Sequence, residues 1–381
     1  MNSVIDSDGH VFELDESWES YAEPAYRDRW PRLITDSKGR QIYLFEGRYS
    51  HTGREVGPPE GSSAGRQRDG ASNPRSRLED MNTQGIDMAA LFPGFSLRAC
   101  GWIKDPDLAC AVARAYNNWL RAYCQAAPDR LKGLAVLPLR DIPESVRELR
   151  RAVKDLGFIG VAFPPGALDK SMSDEYFYPI FATAQELNVP ILCHAGTLKI
   201  PGFERFNYQY LPTHTLSHPY EQMVGLMCTM YGGLPDEFPK LRFAYVEAGA
   251  GWLPFWIERI TEHYQHRARE VPKMKRAPRD YLSSGQIFVA CEPNESTLEC
   301  VVQLCGEDVL LYASDYPHWD STFDSVRAIR TRDGLSESAR EKILSGNARR
   351  LFGSLFQANA TYWKMLEAVA NMNRHKVQTN S

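Results

Sequence analysis

The first strand-like segment of the chain carries acids and a histidine where a buried strand would carry apolar residues. The segment, residues 4–10 (VIDSDGH), places Asp8 and His10 two positions apart. Side chains two positions apart on a strand lie on the same face of the sheet. Charged groups are rarely buried unless they are paired or bound to a metal. The spacing therefore predicts that Asp8 and His10 bind a metal together at the end of this strand.

Carboxylates and imidazoles also follow later apolar runs that have the character of strands. The residues that end these runs are His194, Glu247, Glu292 and Asp315. Any one of them alone is more often a satisfied buried polar group than a ligand. A whole set at the ends of strands instead predicts a divalent metal centre, with Zn, Mn or Fe favoured because the set holds carboxylates and imidazoles but no thiolate.

The order of the elements predicts an α/β fold, a (β/α)8 TIM barrel. Short, nearly all-apolar strands alternating with helices are typical of a parallel sheet that is covered on both faces. In such a barrel the active site lies at the C-terminal ends of the strands, where the candidate ligands fall. A doubly wound open sheet is the alternative, but no Gly-rich phosphate-binding pattern follows the first strand. The predicted strands are 4–10, 87–93, 131–139, 158–164, 189–193, 241–246, 286–291 and 309–314, and the predicted helices are 105–127, 144–156, 174–187, 218–232, 252–266, 321–331 and 336–352.

Two segments fall outside this alternation. Residues about 15–76 form an insertion after the first strand, and its middle, 47–73, is rich in Gly, Pro, Ser and Arg without periodicity. Long segments of this kind are usually functional or disordered, so a loop or lid is expected there. The end of the chain, 355–381, is predicted to be an appended helix and tail, which leaves 1–354 for the barrel.

The composition and charge of the chain favour a protein that acts on neither nucleic acids nor membranes. The chain has 381 residues, 43% of them hydrophobic, and a net charge of -4, so neither a nucleic-acid partner nor a membrane surface is expected. No signal peptide and no apolar run of about 18 residues is found. The eight cysteines form no CxxC pair and are interpreted as reduced thiols in a cytoplasmic protein. A small-molecule substrate is the expected partner.

Several motifs together resemble the amidohydrolase superfamily, in the branch that includes amino-carboxymuconate-semialdehyde decarboxylase and the resorcylate-type decarboxylases. The resemblance covers most of the chain outside 47–73. The matching stretches are 6–13 (DSDGHVFE), 193–196 (CHAG), 238–256 (FPKLRFAYVEAGAGWLPFW), 313–321 (ASDYPHWDS) and 341–353 (EKILSGNARRLFG). The resemblance implies a barrel with one divalent metal at its mouth, and it suggests Asp8, His10, His194 and Asp315 as the ligands. Family habit also suggests a homodimer.

The sixth strand departs from the pattern of this family. Many relatives place there a His that handles the catalytic water or proton, whereas this chain has Glu247 in VEAGAGW. Glu247 is therefore expected to be either a base or a further metal ligand. Glu13, Glu292 and His318 are further candidate ligands. Together with the residues named above, they would suffice to bind one or two ions.

Two classes of enzyme are compatible with these ligands. The first is a metal-dependent hydrolase or non-oxidative decarboxylase, in which Glu247 or Asp315 moves the proton and His218, at an expected helix start, contacts the substrate. The alternative is a non-heme di-iron monooxygenase in which Glu247 is a direct ligand. A binding protein without chemistry is disfavoured by the complete set of acids and histidines.

The expected substrate is a small aromatic or apolar carboxylated compound. Aromatic residues follow the second and eighth strands, where they would line the pocket. These residues are Phe92, Phe95, Trp102, Tyr316 and Trp319.

Overall fold

A computed structural model of the chain describes residues 3–13, 16–35, 37, 40–46, 48–55, 69–166, 168–195, 205 and 210–353. The predicted terminal helix and tail, 355–381, and the middle of the insertion, 56–68, lie outside the described residues. The strands are β1 (Ile5–His10), β2 (Arg32–Thr35), β3 (Arg40–Phe45), β4 (Arg48–Glu55), β5 (Met88–Phe92), β6 (Leu131–Ala135), β7 (Gly160–Phe163), β8 (Ile191–His194), β9 (Phe243–Val246), β10 (Ile287–Cys291) and β11 (Leu310–Tyr312).

Eight parallel strands form a nearly closed barrel in the order β1-β5-β6-β7-β8-β9-β10-β11. The first and last of these strands meet through backbone hydrogen bonds just beyond the end of β11. Asp315 N donates to Asp8 O at 2.9 Å, and His10 N donates to Tyr316 O at 2.6 Å. The prediction of a (β/α)8 TIM barrel is confirmed, and each of the eight predicted strands is present.

Helices connect the barrel strands and pack around them. Where a proline follows a capping acid the start is well defined, as at Pro106, where the Asp105 carboxylate accepts from the amides of Asp107 and Leu108. The α-helices span Glu16–Glu19, Asp69–Ser72, Pro74–Gln84, Phe95–Trp102, Pro106–Cys124, Ile142–Lys154, Tyr178–Glu186, Tyr210–Tyr231, Leu234–Glu237, Leu253–Arg267, Pro278–Ser283, Leu298–Cys305, Ser325–Arg330, Glu337–Glu341 and Asn347–Phe352. Short 3-10 helices span Pro24–Arg29, Glu175–Phe177 and Ala268–Glu270, and Lys342–Gly346 is π-helical. None of the described helices is both long and apolar enough to cross a membrane.

The helix after β8 begins earlier than the sequence predicts. It spans Tyr210–Tyr231, so His218 lies in its middle and Pro219 lies inside it. The predicted start at His218 is therefore wrong. Proline is typical of the first turn of a helix, but Pro219 lies in the interior of this one. The longer helix brings a further histidine, His214, one turn before His218.

The insertion contains more regular structure than the sequence predicts. Strands β2, β3 and β4 form a separate antiparallel sheet of three strands. Phe45 at the end of β3 stacks on Trp102, with ring centroids 5.4 Å apart, and also contacts Phe95. The expectation of a plain loop is wrong for residues 32–35, 40–45 and 48–55. Phe95 and Trp102 pack against this sheet rather than lining the pocket.

The interior of the barrel is apolar below the strand ends. Apolar side chains fill it, including Ala90, Leu134, Leu192 and Phe288, and all of these are buried. Polar groups are concentrated at the C-terminal ends of the strands, directly above this apolar layer. The fold therefore places the predicted ligands together and shields them from solvent on one side.

Candidate metal centre

Asp8, His10 and His194 come together at the C-terminal end of the barrel. The Nε2 atoms of His10 and His194 lie 3.1 Å apart. Asp8 Oδ1 lies 3.4 Å from His10 Nε2 and 3.8 Å from His194 Nε2. Their potential ligand atoms all lie within 4.8 Å of one another. The pairing of Asp8 with His10 across one strand face, extended by His194 from β8, is thus present in the structure.

Asp8 provides the test of whether a cation fits here. Its side chain is fully buried. Neither of its carboxylate oxygens has a hydrogen-bond partner among the residues that the structure describes. A buried carboxylate without a partner is costly. Two imidazole nitrogens that face each other across 3.1 Å beside this carboxylate form a donor set that suits a divalent transition metal.

Asp315 adds a carboxylate from the turn after β11. Its Oδ1 lies 3.6 Å from His10 Nε2 and 2.5 Å from His318 Nδ1. The backbone of Asp315 has φ of 51°, in the left-handed region that residues other than glycine rarely adopt. Strain of this kind persists where surrounding contacts determine the conformation, and it is concentrated at functional sites.

Glu247 occupies the corresponding place after β9 and also has a positive φ, of 58°. Its Oε2 lies 2.5 Å from His194 Nε2. Its Oε1 lies 3.5 Å from His218 Nε2 and 3.7 Å from His318 Nδ1. Glu247 is therefore in contact with the histidines of three different elements, which makes it the central carboxylate of the site.

Burial and neighbouring carboxylates shift the pKa values of two residues in the site. Burial, followed by the charges of Glu247, Asp320 and Asp8, raises the pKa of Asp315 well above its ordinary value. Burial lowers the pKa of His194, but the Glu247 carboxylate and then Asp8 outweigh it and raise that pKa to about 9. A bound cation would reverse both shifts, because it favours ionised carboxylates and neutral imidazoles.

Hydrogen bonds behind the candidate ligands hold them in place. His194 Nδ1 lies 2.5 Å from Ala195 O, and His10 Nδ1 lies 3.4 Å from Pro93 O. Each contact leaves Nε2 directed into the site, which is how ligating histidines are usually oriented. The side-chain amide of Gln222 donates to Cys193 O at 3.1 Å and to Val246 O at 2.8 Å, directly before His194 and Glu247.

Asp6 is structural. It is buried, accepts from the amide and hydroxyl of Ser314, and lies 3.8 Å from the buried guanidinium of Arg77. Arg77 in turn donates to His10 O at 2.9 Å. Arg77 stands on the helix Pro74–Gln84 and no feature of the sequence marks it, because its partners are distant in the chain.

Glu13 and Glu292 belong to none of the donor groups formed by the described residues. Glu13 accepts from Gly94 N at 3.0 Å and Ser96 N at 2.5 Å, so both of its oxygens serve the start of the helix Phe95–Trp102. Glu292 lines the cavity without joining the central cluster. His318, by contrast, joins His10, Glu247 and Asp315 in one donor group.

A cavity of about 350 Å³ opens above the centre. Asp8, Glu247 and Asp315 form part of its wall, and His214, His218 and Trp319 line its side. Trp319 is 39% exposed, and its ring centroid lies 6.0 Å from that of His214. Sequence reasoning missed His214, although its spacing of four residues from His218 was a usable signal for a shared helix face.

Comparison with known proteins agrees with this arrangement. The family model described as amidohydrolase matches residues 5–354. The chain belongs to the amidohydrolase family. It is therefore an enzyme of the class that the motifs indicated, a metal-dependent hydrolase or carboxy-lyase, and the expected divalent transition metal agrees with the donor groups of the structure.

Relatives within the amidohydrolase family include decarboxylases. The chain is 26% identical to 2-amino-3-carboxymuconate-6-semialdehyde decarboxylase of Dictyostelium discoideum over 74% of this chain and 77% of that protein. It is 28% identical to gamma-resorcylate decarboxylase of Polaromonas sp. over 73% of this chain and 89% of that protein. Neither of these relatives is a monooxygenase.

A solved structure shares the same fold. Dihydroxybenzoic acid decarboxylase from Polaromonas sp., crystallised with manganese and the inhibitor 2-nitroresorcinol, has a TM-score of 0.65 and 24% identity. The match covers 92% of this chain and 97% of that one. At this identity the likeness shows a common barrel.

Proposed function

We propose that the chain catalyses the metal-dependent, non-oxidative decarboxylation of a small aromatic carboxylate. The observation that carries the proposal is the convergence of Asp8, His10, His194 and Asp315 beneath a cavity of about 350 Å³. This volume suits a compound with a single substituted ring. The names of two relatives, gamma-resorcylate decarboxylase and 2-amino-3-carboxymuconate-6-semialdehyde decarboxylase, support the same reaction class.

In this proposal Asp8, His10, His194 and Asp315 hold a divalent ion. The ion would supply positive charge that polarises an oxygen of the substrate and orients its carboxylate. Glu247 keeps His194 and His218 oriented toward the cavity through its two oxygens. Burial raises the pKa of Glu247, but the facing imidazoles of His194 and His218 hold it well below its ordinary value, so Glu247 stays ionised.

Asp315 is the proposed carrier of the proton. The bond between the ring and the carboxylate breaks, the electron pair stays on the ring carbon, and carbon dioxide leaves. That carbon then takes a proton that passes from His318 through Asp315, which lines the cavity. His318, whose Nδ1 lies 2.5 Å from Asp315 Oδ1, would return a proton from solvent.

Trp319 and the neighbouring His214 provide flat surfaces beside the cavity. Aromatic rings prefer offset-stacked or edge-to-face contacts with one another. The half-exposed Trp319 ring is therefore the proposed contact for the ring of the substrate. A Trp319→Leu variant should raise KM more than it lowers kcat, whereas an unchanged KM would argue against this contact.

The test is direct release of carbon dioxide by the manganese-loaded chain. Gamma-resorcylate is tried first, followed by other hydroxybenzoates, and the product formed in D2O should carry deuterium at the vacated carbon. Asp315→Asn should lower kcat by about 100-fold or more, since general acid–base groups contribute on this scale. The metal content of the variant is measured on the same sample, so that loss of the ion is distinguished from loss of the proton carrier.

Two outcomes would count against the proposal. A fully loaded chain that releases no carbon dioxide from any hydroxybenzoate would leave hydrolysis as the reaction to test. Oxygen uptake without release of carbon dioxide would favour the monooxygenase alternative, which the relatives named above do not support.

A further inference from the structure

The two oxygens of Glu247 face different groups of potential ligands. Oε2 lies 2.5 Å from His194 Nε2, which belongs to the group with Asp8 and His10. Oε1 lies 3.5 Å from His218 Nε2, which belongs to a group with His214. A carboxylate that presents one oxygen to each of two donor groups has the arrangement of a bridging ligand in a two-metal site.

The second group is built on one face of a helix. His214 and His218 are four residues apart in the helix Tyr210–Tyr231, so they lie one above the other. Their ring centroids are 4.1 Å apart. The potential ligand atoms of His214, His218 and Glu247 all lie within 4.8 Å of one another.

The hydrogen bonds of His218 prepare one of its nitrogens for a ligand. Its Nδ1 lies 3.1 Å from His214 O and 2.9 Å from Ser217 Oγ. A carbonyl oxygen only accepts, so the proton is assigned to Nδ1 and the lone pair to Nε2. Nε2, which faces the Glu247 carboxylate, is therefore left with a lone pair that can bind a metal ion, and His218 is buried. Second-sphere contacts of this kind are typical of ligating histidines.

The cavity is lined by more carboxyl groups than one divalent ion can offset. Five carboxylates line it, those of Asp8, Glu247, Glu292, Asp315 and Asp320. Among the described residues that line the cavity there is no Lys or Arg. One divalent ion offsets at most two of these acids when they are ionised, and a second ion offsets two more. Buried charges of one sign are costly unless cations balance them.

We propose that His214, His218 and Glu247 bind a second divalent transition metal beside the ion held by Asp8, His10, His194 and Asp315, with Glu247 as the shared ligand. This inference goes beyond the proposed decarboxylation, which requires only the first ion. With both ions bound, Glu247 is a ligand on each side, and Asp315 with His318 remains the pair that moves protons.

The experiment counts ions on the full chain. The protein is stripped with a chelator, reloaded with Mn²⁺, freed of excess ion and analysed for manganese per chain by mass spectrometry. The wild-type chain should hold close to two ions, and the His214→Gln and His218→Gln variants close to one. His263→Gln is the matched control, because His263 is exposed on the helix Leu253–Arg267, and it should hold as many ions as the wild type.

A spectroscopic readout complements the count. Two Mn²⁺ ions that share a carboxylate should give an exchange-coupled electron paramagnetic resonance signal, which both variants should replace by the signal of an isolated ion. His214 is only half-buried, so His214→Gln leaves the core intact, and circular dichroism verifies that it folds.

Saturation of the wild-type chain at a single ion, or two ions retained by both variants, would overturn the inference. The count needs no substrate, so its result is separate from that of the decarboxylation assay. One ion with release of carbon dioxide refutes the second site alone. Two ions without release of carbon dioxide refute the proposed function alone.

Discussion

The side-chain amide of Gln222 donates a hydrogen bond of 2.8 Å to the carbonyl oxygen of Val246, the residue directly before Glu247. The same amide donates to Cys193 O, directly before His194. One buried side chain therefore ties the helix Tyr210–Tyr231 to the ends of two barrel strands. These strand ends carry His194 and Glu247, whose Nε2 and Oε2 atoms lie 2.5 Å apart.

Replacing Gln222 by Met should loosen the centre without removing any ligand. Two buried carbonyl groups lose their donor, at a cost of about 1–3 kcal/mol each. We expect a lower free energy of unfolding, and an affinity for Mn²⁺ lower by about 10-fold to 100-fold, as for other second-sphere substitutions. Chemical denaturation and a metal titration measure the two effects. Gln125→Met, at an exposed position, is the control, and equal affinity in both variants would contradict the positioning role.

Asp8→Asn should separate metal binding from folding. The substitution keeps the shape of the side chain but removes a buried charge that has no hydrogen-bond partner among the described residues. The affinity for Mn²⁺ should therefore fall by about 100-fold or more. The metal-free variant should melt at the same temperature as the wild type or higher, because a buried charge without hydrogen bonds destabilises the fold.

Thermal melting with and without Mn²⁺ measures both parts of this prediction. Asp28→Asn provides the control, since Asp28 is exposed. If the metal-free Asp8→Asn protein melted well below the wild type, Asp8 would have a structural partner and the argument for a cation would fail.

The barrel and the convergence of its candidate ligands could be predicted because the signals are local. Buried parallel strands are short apolar runs, and the polar residue that ends each run falls at the active-site edge. Asp8, His10, His194, Glu247 and Asp315 all stand at such ends, and the structure brings them together.

The parts that could not be predicted depend on contacts between distant segments. Phe95 and Trp102 were expected in the pocket, but they pack on Phe45 of the antiparallel sheet. This sheet was not predicted, because it adjoins the Gly-rich segment 47–73, which has no periodicity. Gln222 is one polar residue in a helix of mixed character, and only the three-dimensional structure shows that it meets two strand ends. The start of the helix Tyr210–Tyr231 was also predicted wrongly, because proline is typical of helix starts and Pro219 instead lies in the helix interior.

Metal binding should compete with protons at His194. Glu247 and then Asp8 outweigh the effect of burial and raise the pKa of His194 in the metal-free chain to about 9, above its ordinary 6.5. Between these pH values the folded, metal-free chain holds a proton that the ion must displace. The affinity for Mn²⁺ should therefore increase as pH rises toward about 9, with about one proton released at this residue.

The raised pKa of His194 also determines how the free energy of unfolding of the metal-free chain varies with pH. Because the folded pKa is raised, the interaction stabilises the fold fully below 6.5 and is lost as pH rises through about 9. Calorimetric titration in two buffers of different ionisation enthalpy counts the released proton. Glu247→Gln should weaken the pH dependence, whereas the exposed Glu262→Gln should not. An affinity that stays constant over this range would refute the prediction.

The turn that carries Glu247 should not tolerate a side chain at Gly249. Gly249 has φ of 59°, and a Cβ atom there would lie 2.0 Å from Glu295 Oε1. That oxygen accepts from Ala250 N at 2.6 Å, so it cannot move away without leaving the turn unsupported. Gly249→Ala should lower the free energy of unfolding by about 1–3 kcal/mol and also weaken Mn²⁺ binding, because Glu247 shifts with the turn. Gly346→Ala is the matched control, since a Cβ there meets no atom closer than 3.6 Å and its φ is helical. If both alanine variants bound Mn²⁺ as tightly as the wild type, the turn would not be what holds Glu247 in the centre.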